Sequence, residues 1–217
     1  MTKKQREERA AEDSEDDQDS MSALASPEAL AALGPFSPER GAWAEYMIRG
    51  PGAPDERLRI SVLPQVLPDG RYWLELDSAT AAGLAAATRI LVHGDFSKKG
   101  AIERIVVYIA GQAAFELPLD EAHEALDAEA PRVSPGPRAK VTVLAPAQVK
   151  VPAGLFKADR FRISARGATT EIWRAREVPL WGLVRSANPG SVAELLKFSH
   201  SGAHSLVPLQ AGDDPKP

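Results

Sequence analysis

The feature that most limits what this chain can fold into is a pair of alternating segments joined by a turn. In RLRISVLP, starting at Arg57, the apolar Leu58, Ile60 and Val62 alternate with Arg59 and Ser61. In RYWLELD, starting at Arg71, Tyr72, Leu74 and Leu76 alternate with Arg71, Trp73 and Glu75. Successive side chains of a strand leave opposite faces, so each segment presents one core face and one polar face. The intervening QVLPDG ends in Asp69-Gly70, a pair that accepts the positive φ of a tight hairpin turn. AWAEYMIR (Ala42 to Arg49), RILVHGD, KVTVLAPAQVKV and SVAELLKFSHSG also read as strands. AIERIVVYIAG is apolar on both faces, as a central, doubly covered strand would be.

These segments predict a mainly β (α+β) fold, a curved antiparallel sheet or half-barrel with one or two short helices. SPEALAAL, Ser26 to Leu33, suits a short helix with Pro27 at its first position. The alanine-rich SATAAGLAAAT suits another by propensity, against Gly83 and its threonines. LDEAHEALDAEA, Leu119 to Ala130, reads as a helix placed to cover one opening of the sheet, and the proline-rich PRVSPGPR behind it divides the chain into two β-rich halves.

Charge marks out the ends. Residues 1–20 hold eight acidic and four basic side chains and almost nothing apolar, so residues 1–35 are expected to be a disordered charged tail with the short helix near its end. A single β-rich half-barrel domain is expected over 36–209, with a flexible tail over 210–217. Taking the first 20 residues from the totals of 26 basic and 30 acidic leaves 22 of each sign. A balanced body gives no electrostatic reason for nucleic-acid binding.

The two halves share a motif. Arg57-Leu-Arg-Ile-Ser61 recurs as Arg160-Phe-Arg-Ile-Ser164, each followed by a turn and a tryptophan strand. Alternating arginine and apolar residues are what any half-exposed strand looks like, and that reading is preferred to a duplicated hairpin.

Several classes of chemistry are excluded or disfavoured. Without cysteine there is no disulfide, thiolate metal site or cysteine nucleophile. No nucleophile elbow, Walker loop, dinucleotide fingerprint or HExxH occurs, so the expectation is a non-enzyme without metal or cofactor. His200 and His204 lie four apart, but Gly202 between them argues against a shared helical face. His93 beside Asp95 reads as an ordinary turn. The longest uncharged runs are well short of the roughly 20 residues a membrane-spanning helix needs. The N-terminus lacks the apolar stretch of a signal peptide, so a cytoplasmic location is expected as the sequence stands, or the envelope if the start is misassigned.

Aromatic density is the remaining signal. Bulky apolar residues gather in VPAGLFKADRFRISARGATTEIWRAREVPLWGLV, from Val151 to Val184. Its VPAGLFKADRFRI and TTEIWRAREVPLWGLV resemble a repeated pattern of bacterial half-barrel proteins related to the lipoprotein carriers LolA and LolB. The match rests on Pro152, Ala153, Gly154, Phe156 and Lys157, with Leu155 where threonine is usual, and on Trp173, Val178, Pro179, Leu180, Gly182 and Leu183. It covers roughly residues 149–198 and the first half only loosely. The resemblance implies a curved sheet around a helix, with an apolar concave face that in the carriers accepts acyl chains. The expected role is thus a non-enzymatic module binding an apolar small molecule, an acyl chain or a hydrophobic partner segment. Trp73, Phe156, Phe161, Trp173, Trp181 and Leu183 are the candidate ligand-binding residues. The alternative is a protein-interaction module whose aromatics all pack in the core and whose charged tail docks to a partner.

Overall fold

The computed structural model describes residues 36–81, 83–95, 100–119, 140–165 and 168–207. The helix expected at 26–33, nearly all of that at 119–130, and both tails lie outside the described residues.

Eleven strands form one antiparallel sheet: β1 (Trp43–Arg49), β2 (Glu56–Val62), β3 (Arg71–Thr80), β4 (Gly83–His93), β5 (Ile102–Ile109), β6 (Phe115–Leu117), β7 (Lys140–Val151), β8 (Gly154–Ala165), β9 (Ala168–Arg174), β10 (Leu183–Ala187) and β11 (Val192–Ser199). Their order is β6-β5-β4-β3-β2-β1-β11-β10-β9-β8-β7. The sheet is open, with β6 and β7 at its edges, and β1 meets β11 near its middle. Register shifts at Glu45/Tyr46, Ser78/Ala79, Leu91/Val92 and Leu144/Ala147 place bulges in both halves. Each bulge adds twist and bend, which suits a curved sheet.

The hairpin at Asp69-Gly70 forms as the turn chemistry predicts, with φ of 60° and 76° at the two residues. The alternation also holds. Leu58, Ile60, Val62, Tyr72, Leu74 and Leu76 all join the main core with Tyr46, Val184 and Leu195. Val149, Phe156 and Ile172 from the other half belong to the same cluster. Burying each large aliphatic side chain contributes about 1.5–3 kcal/mol, so this inner face dominates the stability of the sheet. Tyr46, fully enclosed, satisfies its hydroxyl by donating to the Leu183 carbonyl at 3.2 Å.

Two expectations need correction. SATAAGLAAAT is not a helix: it is the β3–β4 hairpin, with Ala79 opposite Leu84 and Thr80 opposite Gly83. Alanine's helix propensity is a small energy per residue and yields to strand pairing on both sides, and Gly83 takes a φ of 116°. β5 is not central. Its middle residues Ile105 and Val106 are buried, but its outer neighbour is the three-residue β6, and Ile109 is exposed.

The strand order bears on the shared motif. β5-β4-β3-β2-β1 and β11-β10-β9-β8-β7 lie side by side in the same sense, so each arginine motif occupies the second strand of a five-stranded meander. Arg59 is opposite Asp77 as Arg162 is opposite Glu171. The tryptophans do not correspond: Trp173 is opposite Arg160, whereas Trp73 lies beyond the β2 register, its carbonyl accepting from Leu63 N–H. The likeness is therefore confined to the arginine strands.

Candidate functional site

The six nominated residues divide between the two faces of the sheet. By strand alternation Trp73 and Trp173 lie on the outer face, and Trp173 also packs against the main core. Trp73 is buried with Leu63 and Leu91, and Leu67 of the β2–β3 connection packs against this small cluster. Trp173 is half-buried between two guanidinium groups, Arg160 at 5.5 Å and Arg185 at 5.1 Å from its ring centre. Glu171 ties Arg160 and Arg162 together at 3.1 and 2.7 Å. The arginines read from sequence as outward-facing thus form a cross-strand ladder with tryptophan stacked inside it.

Farther along the outer face, β3 carries two buried acids. Glu75 is fully enclosed and bonded to Arg89 Nε at 2.7 Å. The C-terminal segment lies across it, with Ser205 Oγ donating to Glu75 at 2.6 Å and Leu206 N–H at 2.9 Å. Asp77, next on the same face, is buried beside Glu75, and a hydrogen bond shared between the two acids is among the causes that raise its pKa.

On the inner face, Phe156 and Leu183 are core residues. Phe161 and Trp181 come together at a cleft of about 340 Å³ between the β8–β9 strands, the loop of residues 175–182 and the end of β11. This loop holds itself in shape. Ala175 N–H donates to Gly182 O at 2.8 Å, Gly182 N–H to Pro179 O at 3.1 Å, and Ser37 N–H to Leu180 O at 3.1 Å. Trp181 packs at 4.5 Å on Phe36 and sits in the core while also lining the cleft.

Gly182 is required by geometry. Its φ is 72°, and a Cβ there would lie 2.9 Å from the carbonyl oxygen of Ala175. Gly182→Ala is expected to destabilise the protein by about 1–3 kcal/mol, read as a lower urea midpoint at unchanged m-value. A neutral outcome would mean that the loop is not held in this form.

The polar lining of the cleft holds an engaged pair, His200 with Glu39, a second pair, Arg174 and Asp159, that is not joined, and the exposed Arg176. His200 Nδ1 lies 2.7 Å from Glu39 and Nε2 lies 3.1 Å from the Glu177 carbonyl; the Glu39 hydrogen bond, and then that carbonyl, raise the His200 pKa above its ordinary value. Opposite them, Arg174 and Asp159 are cross-strand partners. Arg174 donates its Nε to the Trp181 carbonyl at 2.8 Å, with its guanidinium 5.9 Å from the centre of the Phe161 ring. Burial lowers the Arg174 pKa and the Asp159 charge opposes that shift. No ion pair links the two, and the terminal amino groups of Arg174 have no acceptor among the described residues.

Neither Asp159 nor Arg174 was a candidate from sequence. The available signal was parity: both share the inner face with Phe161 and Ile172. A charge on the apolar parity of a strand marks either a rim or a site.

Among the described residues, no three His, Asp or Glu side chains cluster as a metal site requires, and no helix is long and apolar enough to cross a membrane. His204 Nδ1 lies 3.3 Å from the Gly202 carbonyl.

No protein-family model and no curated protein matches the chain. Solved structures with partial overlap include a protein described as a lipoprotein from Parabacteroides distasonis (9% identity, 76% of this chain, 97% of that one, TM-score 0.40). An exported protein with a YmcC-like fold from Bacteroides fragilis overlaps at 15% identity, 76% of this chain, 99% of that one and a TM-score of 0.38. MucB in complex with MucA(peri) overlaps at 14% identity, 86% of this chain, 57% of that one and a TM-score of 0.42.

Proposed function

We propose that this protein is a non-enzymatic binding module that holds an apolar chain, an acyl group in the first instance, against the inner face of its curved sheet. The observation that carries the reading is the cleft of about 340 Å³ with Phe161, Leu180 and Trp181 in its lining. Its volume falls at the lower end for small-molecule sites, and its walls set Phe161, Leu180 and Trp181 among polar and charged groups that make up the larger share of its surface. Phe161 and Trp181 carry the contact; Phe156 and Leu183 support it from the core. Trp73 belongs to the other face, and Trp173, which packs against the main core from within the arginine ladder, lies outside the cleft lining.

The test is titration with a fatty acid, followed by tryptophan fluorescence and native mass spectrometry. Saturable binding at one equivalent is expected, weakened about tenfold by Phe161→Ala. If fatty acids change neither the fluorescence nor the melting temperature, and protein from its native host carries no lipid, the reading fails.

A second reading has its own support. Val143 is 74% exposed and Val141 48% exposed, both on edge strand β7 and opposite Phe161 and Ile163. These residues extend the apolar parity of the inner face to a strand edge, where a hydrophobic segment of a partner protein could pair and lie. In that case Val143→Lys abolishes partner binding and leaves fatty-acid binding intact. The half-barrel resemblance of residues 149–198 extends the proposal to compartment: the cell envelope, testable by fractionating cells of the native host.

A further inference from the structure

We infer that the cleft selects a zwitterionic head group, with its anionic oxygens against Arg174 and its ammonium against Asp159. The inference rests on the apolar-chain reading above and adds to it the chemistry of the other end of the ligand.

Arg174 is only partly exposed, and a guanidinium withdrawn from water is costly unless its donors are used. One donor is used: Nε is committed to the Trp181 carbonyl. That bond fixes the plane of the group near Phe161 and leaves two amino groups available to the cleft, the fork geometry that suits a carboxylate or phosphate. Among the described residues the acid whose charge acts on Arg174 is Asp159, directly opposite in register and lining the same cleft. It is not bonded to Arg174, because the guanidinium is drawn away towards the loop.

The two charges are therefore close enough to act on one ligand and remain separate. Glu39 and His200, also lining the cleft, engage each other, while Arg176, the remaining charged residue of the lining, is exposed and adds a second cation beside Arg174. A purely anionic amphiphile would gain Arg174 but face Asp159; a purely cationic one would meet the reverse. A head group carrying both signs gains at both positions. Its apolar chain then leaves along Phe161 and Trp181.

The experiment compares three amphiphiles of equal chain length on the full protein by calorimetry. They are a lysophosphatidylethanolamine, the fatty acid and the alkylamine. The zwitterion is expected to bind about tenfold tighter than either singly charged probe. Asp159→Asn should erase its advantage by strengthening the fatty acid, and Arg174→Gln should weaken the zwitterion and the fatty acid together. Arg174→Lys, which keeps the charge but not the fork, should recover only part of the loss. The melting temperature of each variant reports whether its fold is intact. If all three probes bind alike and ignore both substitutions, the head-group assignment is overturned while the apolar-chain reading stands. If none binds, both are overturned. If the fatty acid binds best and Asp159→Asn leaves the ranking unchanged, the site is an anion site and the zwitterion assignment is wrong.

Discussion

Arg89→Ala should cost about 3–5 kcal/mol of folding stability, the usual penalty for removing one partner of an enclosed ion pair. Glu75 has no exposed surface, and without Arg89 only Ser205 and Leu206 among the described residues donate to it. Asp77 makes matters worse. Burial, and after it the negative charge of Glu75, push its pKa from 3.8 up to about 8, while Arg59 and Arg89 pull the other way.

The sign of the pH effect follows from that direction. With its folded pKa above its unfolded value, Asp77 holds its proton more tightly in the native state. Its stabilising contribution is complete below about pH 4 and is lost as pH rises to about 8. Asp77→Asn should flatten this part of the pH dependence and make the variant more stable than the parent at alkaline pH. Urea midpoints at about pH 5 and pH 9 check both statements. A loss under about 1 kcal/mol for Arg89→Ala would mean that water reaches the pair.

Trp181→Ala is the second large expected effect, again about 3–5 kcal/mol, because a large buried aromatic leaves a void its neighbours cannot fill. Here the void would open into the cleft and strip Phe36 of one ring partner, leaving Tyr72 at 6.0 Å. Amphiphile binding should be lost with it. Trp181→Phe should restore most of the stability and part of the binding, since the backbone carbonyl that holds Arg174 remains. Denaturant unfolding and fluorescence-detected binding separate the two effects. A variant that binds normally at reduced stability would show that Trp181 serves the core alone.

Period-two alternation was sufficient to find most strands, because a one-residue error would turn Leu58, Ile60 and Val62 out of the core. It was insufficient at Ser78 to Thr88, where alanines carry little pattern and pairing with β2 and β5 decides the outcome. The site was less legible. Aromatic bulk singles out the segment that holds Trp181, but bulk alone does not say which side of a sheet a tryptophan occupies. Trp73 and Trp173 follow the polar parity of their strands. Asp159 and Arg174 were hidden for the opposite reason: their meaning lies in what they fail to contact, and that exists only after β8 and β9 are paired and the loop has pulled the guanidinium aside.

The position of β1 against β11 has a consequence for assembly. Trp43 stands opposite Ser199, near the two ends of the described chain, while every other pairing joins strands adjacent in sequence. Each meander can form from local contacts, but the seam between them must close a loop of about 150 residues. The chain therefore carries one long-range step, which cannot begin during synthesis until the last strand has left the ribosome. Until then, the edge of β1 that β11 will cover stays open to pairing with other chains.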